Sequence, residues 1–349
     1  MSEPETTPPR PPDAPTGSAG RAKPAGRGLS LLSGGLDSTL AICVLRAQGL
    51  HVEAVVFESP FFSSRNARKA AEQIGVRLHV LDFTADIVAL VQHPPHGFGG
   101  AMNPCIDCHA GMINRAGAQM TDLGFDFLAT GEVLNQRPMS QNRRSLQIVS
   151  SDCGYADRLV RPLSAQLLDP TEPERSGLID RSRLLALNGR SRQAQIELAH
   201  QYGIREYPTP AGGCLLTENG FCRRLQDLLT HEGVAERRLL FLLRTGRHLR
   251  LPGGTKCIVG RNHADNETLE AGATPADVLV QPVNVPGPTL LLPGRAPAED
   301  VELACGVCAG YADKRGDAAV TRVRVARGAQ AEERDAFPLP RSAFEGWIL

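Results

Sequence analysis

Residues 29–47 read Leu-Ser-Leu-Leu-Ser33-Gly34-Gly35-Leu36-Asp37-Ser38-Thr-Leu-Ala-Ile-Cys-Val-Leu-Arg-Ala, and their reading decides the fold. Four mostly apolar residues stop abruptly at a glycine pair, which reads as a short buried strand. After the loop, Leu40, Ala41, Val44 and Leu45 recur on one face of a helix that Gly49 closes. Two glycines let the backbone approach an anion, and a helix start offers unpaired N–H groups and the positive end of its dipole. Ser33, Ser38 and Thr39 add hydroxyl donors, so the stretch is a phosphate cradle. It is neither the lysine-bearing Gly-x-x-x-x-Gly-Lys-Ser/Thr loop nor the Gly-x-Gly-x-x-Gly dinucleotide turn.

Outward from the cradle the pattern alternates. Residues 51–57, 77–82 and 127–130 read as strands, and 66–74 and 113–123 as helices. This predicts an α/β domain, a mostly parallel sheet with helices on both faces, over 28–230. Ligands gather at the carboxyl ends of such strands. The 33–38 loop, Asp82 and the run from Thr130 to Gln136 all sit at strand ends. Residues 1–27 are rich in Pro, Gly, Ala and charge and read as a disordered tail, with a little basic content at Arg21, Lys23 and Arg27.

The 349 residues are 42% apolar, enough for more than one core, and Lys+Arg balance Asp+Glu at 38 each. A neutral chain is not an electrostatic nucleic-acid binder as a whole; such a site must be a local patch. No apolar run reaches bilayer length and no apolar signal core opens the chain, so the expectation is a cytoplasmic protein without a membrane partner. Nine cysteines, an odd number with two Cys-x-x-Cys pairs, point to thiols and metal rather than a disulfide framework.

The first pair stands in Asn103-Pro104-Cys105-Ile106-Asp107-Cys108-His109. A helix start near it favours thiolate, the form that attacks or binds metal. The pair alone suits a redox couple, half a zinc site, part of an iron–sulfur site or catalysis. His109 fits a helix-start or supporting role. Cys214 lies in Pro208-Thr-Pro-Ala-Gly-Gly-Cys214-Leu-Leu-Thr217, a shaped, accessible loop, and completes a candidate three-cysteine site. The loop from Thr130-Gly131-Glu132 to Ser140-Gln141 carries side chains able to hydrogen-bond a nucleotide.

Four motifs in order, Ser-Gly-Gly-Leu-Asp-Ser, Asn-Pro-Cys-x-x-Cys, Thr-Gly-Glu…Ser-Gln and Gly-Gly-Cys, resemble the tRNA thiouridine synthases of the PP-loop ATP pyrophosphatase superfamily, over roughly residues 28–230. The resemblance implies an adenine nucleotide alpha hydrolase-like fold and a two-step reaction. ATP adenylates a carbonyl oxygen of a uridine in tRNA and releases pyrophosphate; sulfur then displaces AMP. By that resemblance Ser33, Gly34, Gly35, Asp37 and Ser38 bind ATP with Mg2+, and Gly131 and Glu132 lie nearby. Cys105, Cys108 and Cys214 are the catalytic cysteines. They hold a [4Fe–4S] cluster open to sulfide, or two of them handle a persulfide from a carrier; the presence of all three favours the cluster. Two other readings compete. One is a PP-loop ligase on a small molecule, like the 7-deazaguanine nitrile synthases, whose cysteines cluster differently. The other is a non-catalytic factor that binds ATP and RNA.

Residues 231–349 read as a small α+β module. A helix is predicted over 221–243 and short strands beyond it, with a closing strand at 321–325. Between Arg223 and Arg261 nine Lys/Arg stand against three Asp/Glu, an excess able to hold a phosphate backbone. Arg244, Arg247, His248, Arg250, Lys256 and Arg261 are the RNA-binding candidates. The run Gly-Arg-His…Lys-x-Ile-Val-Gly-Arg-Asn also resembles the RNA-binding module of NFACT proteins. Cys305-Gly-Val-Cys308 has no obvious partner pair for zinc and reads as buried cysteines.

Overall fold

The structure is a computed structural model that describes residues 26–209, 213–283, 285–313 and 320–349. The tail expected over 1–27 lies almost wholly outside the described residues. The first part of the chain runs β1 (Arg27–Leu31), α1 (Leu36–Arg46), β2 (His51–Glu58), α2 (Arg65–Ile74), β3 (Leu78–Asp82), α3 (Thr84–Gln92), α4 (Cys105–Asp122), β4 (Phe127–Ala129), α5 (Arg143–Asp152), β5 (Leu159–Val160), α6 (Glu172–Arg175) and α7 (Gln193–Gln201). Its five strands pair in parallel in the order β3-β2-β1-β4-β5.

Side chains alternate across this sheet. Val55, Phe57, Leu128 and Leu159 join one core with Ile87, Ile113, Met120 and Val149 of α3, α4 and α5. Ala54, Val56, Ala129 and Val160 join the other with residues of α1, α2 and α7. Both faces are covered, as parallel pairing requires. Glycines end the outer helices where the chain must turn: Gly75 closes α2 at φ 61 in the left-handed region.

The helix expected over 221–243 is two helices, α8 (Asn219–His231) and α9 (Arg237–Leu242). Gly233, at φ 70, separates them. The chain continues through β6 (Arg247–Arg250), β7 (Lys256–Val259), α10 (His263–Gly272), β8 (Val278–Pro282), β9 (Leu290–Leu292), α11 (Ala298–Tyr311), β10 (Thr321–Arg327), β11 (Gln330–Ala336) and α12 (Arg341–Phe344). The six strands form an antiparallel sheet in the order β11-β10-β8-β9-β7-β6. One face packs on α11, with Leu249, Cys257, Val259, Leu290, Cys305 and Cys308 fully buried. On the other face Ile258 and Leu291 meet Leu225, Leu228, Leu239 and Leu240, in the same core that holds Phe57 and Phe83. The core beneath the parallel sheet therefore runs without a break into the second sheet. Among the described residues no helix is long and apolar enough to cross a membrane.

Candidate active site

The cradle follows β1. Gly34 has φ 80, and a Cβ there would lie 2.2 Å from the Asn66 carbonyl carbon, so only glycine fits between the loop and α2. Gly35 caps α1; its carbonyl accepts from Ser38 Oγ at 2.9 Å and Thr39 Oγ1 at 3.0 Å. The Ser33 and Ser38 hydroxyls stand 3.1 Å apart. Gly131, just past β4, presses on the same helix start: a Cβ there would come within 2.4 Å of the Ser38 backbone. Cradle and Thr130–Glu132 segment thus share one edge, where β1 and β4 end.

Asp37 turns into this edge. Gln136 Nε2 donates to its Oδ2 at 2.5 Å, and Gln195 Nε2 donates to Gln136 Oε1 at 2.8 Å. Oδ1 is buried and, among the described residues, has no partner. Burial raises the Asp37 carboxyl above its ordinary range, against the Gln136 hydrogen bond and the charges of Arg192 and Arg137. Arg192 Nε is likewise buried without a partner. The sequence reading named Gln136 only within the Thr130–Gln141 loop and did not single out Arg192 or Gln195. Arg192 and Gln195 reach Asp37 only because α7 packs against α1, which no local pattern encodes.

The thiols are gathered beside this edge. Cys105 and Cys108 stand in the first turn of α4, which begins at Cys105 rather than near 113. Cys214 is fixed next to them because Leu215 N donates to Phe61 O at 2.9 Å, in the turn after β2. Burial drives the Cys108 thiol well above its ordinary range, and Cys214 and Cys105 add to the effect. Burial likewise pushes Cys214 up to about 11, with Cys105 contributing. The expected lowering by the helix start is therefore outweighed by desolvation at Cys108. Asn103 Nδ2 donates to Cys105 Sγ at 3.1 Å, and His96 Nδ1 stands 2.6 Å from Asp107, so both ends of the 96–103 loop are tied to α4. That loop holds Phe98 with its ring exposed. Among the described residues no three His, Cys, Asp or Glu side chains are arranged to hold a single metal ion.

Glu132 is not open to a nucleotide. Its carboxylate is buried and accepts from Thr130 Oγ1 at 3.0 Å and Arg161 Nε at 2.8 Å, while His109 Nδ1 stands 3.1 Å away. Burial pushes the carboxyl up, yet Arg161 and His109 outweigh it and bring it down to about 2. Glu132 positions His109, one residue beyond Cys108.

The basic candidates separate sharply. His248 is buried, 3.0 Å from Thr245 O, and burial lowers it to about 3, so it is neutral. Lys256 is buried on Asp227 at 2.7 Å. Arg250 grips Asp227 and Glu232, each at 2.6 Å. These three are structural: burial keeps His248 neutral, and Asp227 of α8 with Glu232 at its end neutralises Arg250 and Lys256. Arg244 turns inward to Pro60 O at 2.6 Å and Ser59 O at 3.0 Å. Arg247 is exposed over the Tyr311 ring, and Arg261 is exposed and paired with Asp265 at 2.7 Å. Cys305 and Cys308 lie inside the second core with Cys257, away from any surface.

Residues 23–166 match the family model described as Thiamine biosynthesis protein (ThiI), and residues 246–348 match that of the NFACT protein RNA binding domain. The tRNA-specific 2-thiouridylase MnmA of Syntrophotalea carbinolica is 34% identical over 117 residues, 30% of this chain and 33% of its own length. The probable tRNA sulfurtransferase of Thermoanaerobacter sp. is 31% identical over 156 residues, 42% of this chain and 38% of its own. The chain spans about a third of the length of the curated relatives it matches. A solved 4-thiouridine synthetase–RNA complex with bound ATP overlaps 62% of this chain and 53% of that chain at 19% identity, with a TM-score of 0.36. Two stretches of the chain are thus similar to known families, 23–166 to the ThiI model and 246–348 to the NFACT protein RNA binding domain.

Proposed function

We propose that this protein is an ATP-dependent tRNA sulfurtransferase of the cytoplasm, built from a PP-loop domain over 28–230 and an RNA-binding module over 231–349. One observation carries the reading: Cys214, distant in sequence, meets the Cys105–Cys108 pair beside the edge that carries the 33–38 loop. In the proposed reaction a uridine carbonyl oxygen attacks the α-phosphorus of ATP, pyrophosphate leaves, and sulfur then displaces AMP. Ser33, Gly34, Gly35 and Ser38 would hold the leaving pyrophosphate with backbone N–H groups and hydroxyls. The unpartnered Asp37 Oδ1 suits Mg2+, which would share the phosphate charge. Gln136 and Gln195 orient that carboxylate, and Gly131 lets the second loop close on the cradle.

The donor set of three mutually interacting thiols fits a [4Fe–4S] cluster, which binds through cysteine sulfurs, better than a single ion. Such a cluster, held by Cys105, Cys108 and Cys214, would supply an open iron for sulfide. Asn103 fixes the Cys105 sulfur, and the exposed Phe98, on the loop that Asn103 ends, would offer a ring face for a base taken out of its stack.

The test is anaerobic purification of wild type and Cys214→Ala, with iron content, ATP binding and tRNA thiolation measured. The expected result is about four irons in wild type, lost with thiolation in the variant, and ATP binding kept in both. Full thiolation by Cys214→Ala would overturn the proposal. Iron-free protein that still thiolates would replace the cluster with a persulfide on the same thiols.

A further inference from the structure

Four arginines converge where the two sheets' shared core reaches the surface. Arg224 Nε donates to Leu243 O at 3.0 Å, and Arg261 Nη2 to Arg244 O at 3.4 Å. Arg244 itself reaches across to the Ser59 and Pro60 carbonyls, at the end of β2. Arg223, beside Arg224 on α8, is exposed and makes no hydrogen bond or ion pair among the described residues. The carbonyls just past the end of α9, Leu243 O and Arg244 O, thus draw two guanidinium groups together, those of Arg224 and Arg261. The bond to Leu243 O uses Arg224 Nε, and among the described residues its Nη groups make no hydrogen bond. The acids nearby are Asp265, paired with Arg261, and Glu218, which faces Arg224. Arg224 is held below its ordinary range by burial, and by Arg261 and Arg223, the mark of like charges pressed together.

Like charges gathered at a surface are relieved by an anion. The turn that anchors Arg244 is the same 59–62 turn whose Phe61 carbonyl fixes the Cys214 segment. The cluster is therefore on the thiol edge of the parallel sheet, at the junction of the two domains and not out on the second sheet. Planar guanidinium forks match phosphate oxygens in pairs.

We propose that Arg223, Arg224 and Arg261, with Arg244 as their anchor, form a junction site for the phosphate backbone of the RNA substrate, seating the strand that leads into the thiol edge. This rests on the sulfurtransferase reading, which supplies the RNA. The site replaces most of the patch expected from sequence, since His248, Arg250 and Lys256 are spent inside the fold.

The test compares wild type, Arg223→Gln/Arg261→Gln and a control Arg322→Gln/Arg324→Gln, which removes the same charge from exposed positions on β10. Binding of tRNA is measured by fluorescence anisotropy across KCl concentrations. Each phosphate contact contributes about 0.7–0.9 to the slope of log K against log salt. The junction variant should lose about 1.5 from that slope, so that wild type sheds roughly tenfold more affinity than the variant between about 50 and 200 mM KCl. The control should follow wild type. Wild-type binding with an unchanged slope in the junction variant would overturn the junction site alone. Absence of tRNA binding by wild type at low salt would overturn the sulfurtransferase reading with it.

Discussion

Replacing Glu132 by Gln removes one buried negative charge and keeps the shape of the side chain. In the native protein this carboxyl is brought from 4.5 down to about 2 by Arg161 and His109, against its own burial. At 1.36 kcal/mol per pH unit the difference is worth about 3 kcal/mol at neutral pH. Arg161 is itself buried; its bonds to Ser150 Oγ at 3.1 Å and Leu146 O at 3.4 Å survive, but its counter-charge does not. Breaking a buried pair from one side costs about 3–5 kcal/mol, so the lower end applies here. The sign follows from the depressed value. The stabilisation is complete above about 4.5 and is lost as pH falls towards about 2. Urea unfolding of wild type and Glu132→Gln should show a gap of about 3 kcal/mol at pH 7, narrowing to about half near pH 3. A gap under about 1 kcal/mol at pH 7, or one that stays constant into acid, would refute the reasoning.

Gly34→Ala places a methyl against the Asn66 backbone at positive φ and should cost about 1–3 kcal/mol while abolishing ATP binding, read by calorimetry. Asp227→Asn leaves Arg250 and Lys256 without their shared carboxylate; it should destabilise the fold by about 3 kcal/mol or more yet leave the salt slope of tRNA binding unchanged. Cys257, Cys305 and Cys308 are fully buried, so a thiol reagent should modify none of them in native protein, and Cys305→Ala/Cys308→Ala should retain thiolation, as mass spectrometry of tRNA digests would show. Gln136→Ala should weaken Mg2+-dependent ATP binding while leaving RNA affinity intact, because it releases the hydrogen bond that orients Asp37 Oδ2.

The α/β order was legible because β1 to β4 are apolar runs closed by turns, a pattern written in adjacent residues, whereas the two-residue β5 is too short to show one. The cradle was legible for the same reason: its hexapeptide contains its own hydroxyls, glycines and helix start. The basic patch was not. A count from Arg223 to Arg261 treats Arg250 and Lys256 as free, whereas folding brings Asp227 and Glu232 against them. The break between α8 and α9 at Gly233 hides in a run whose leucines keep helical spacing on both sides. For the thiols, the sequence displays the helix start but not the burial that overrides it at Cys108. Glu132 was placed beside the nucleotide by its loop, and only the structure turns its carboxylate inward to His109 and Arg161.

The core that passes from Phe57 and Phe83 through Leu225 and Leu240 to Ile258 and Leu291 has no seam at which the chain divides. A cut after α9 would bare leucines that now face the second sheet, so the two parts of the chain are packed on one another. If that core holds the two parts at one spacing, the proposed function makes the protein a ruler: a strand gripped at one end would meet the thiols a fixed span away. On the proposed reading, the uridine to be altered would be selected by how far it lies from the gripped backbone in folded RNA, more than by the letters that flank it.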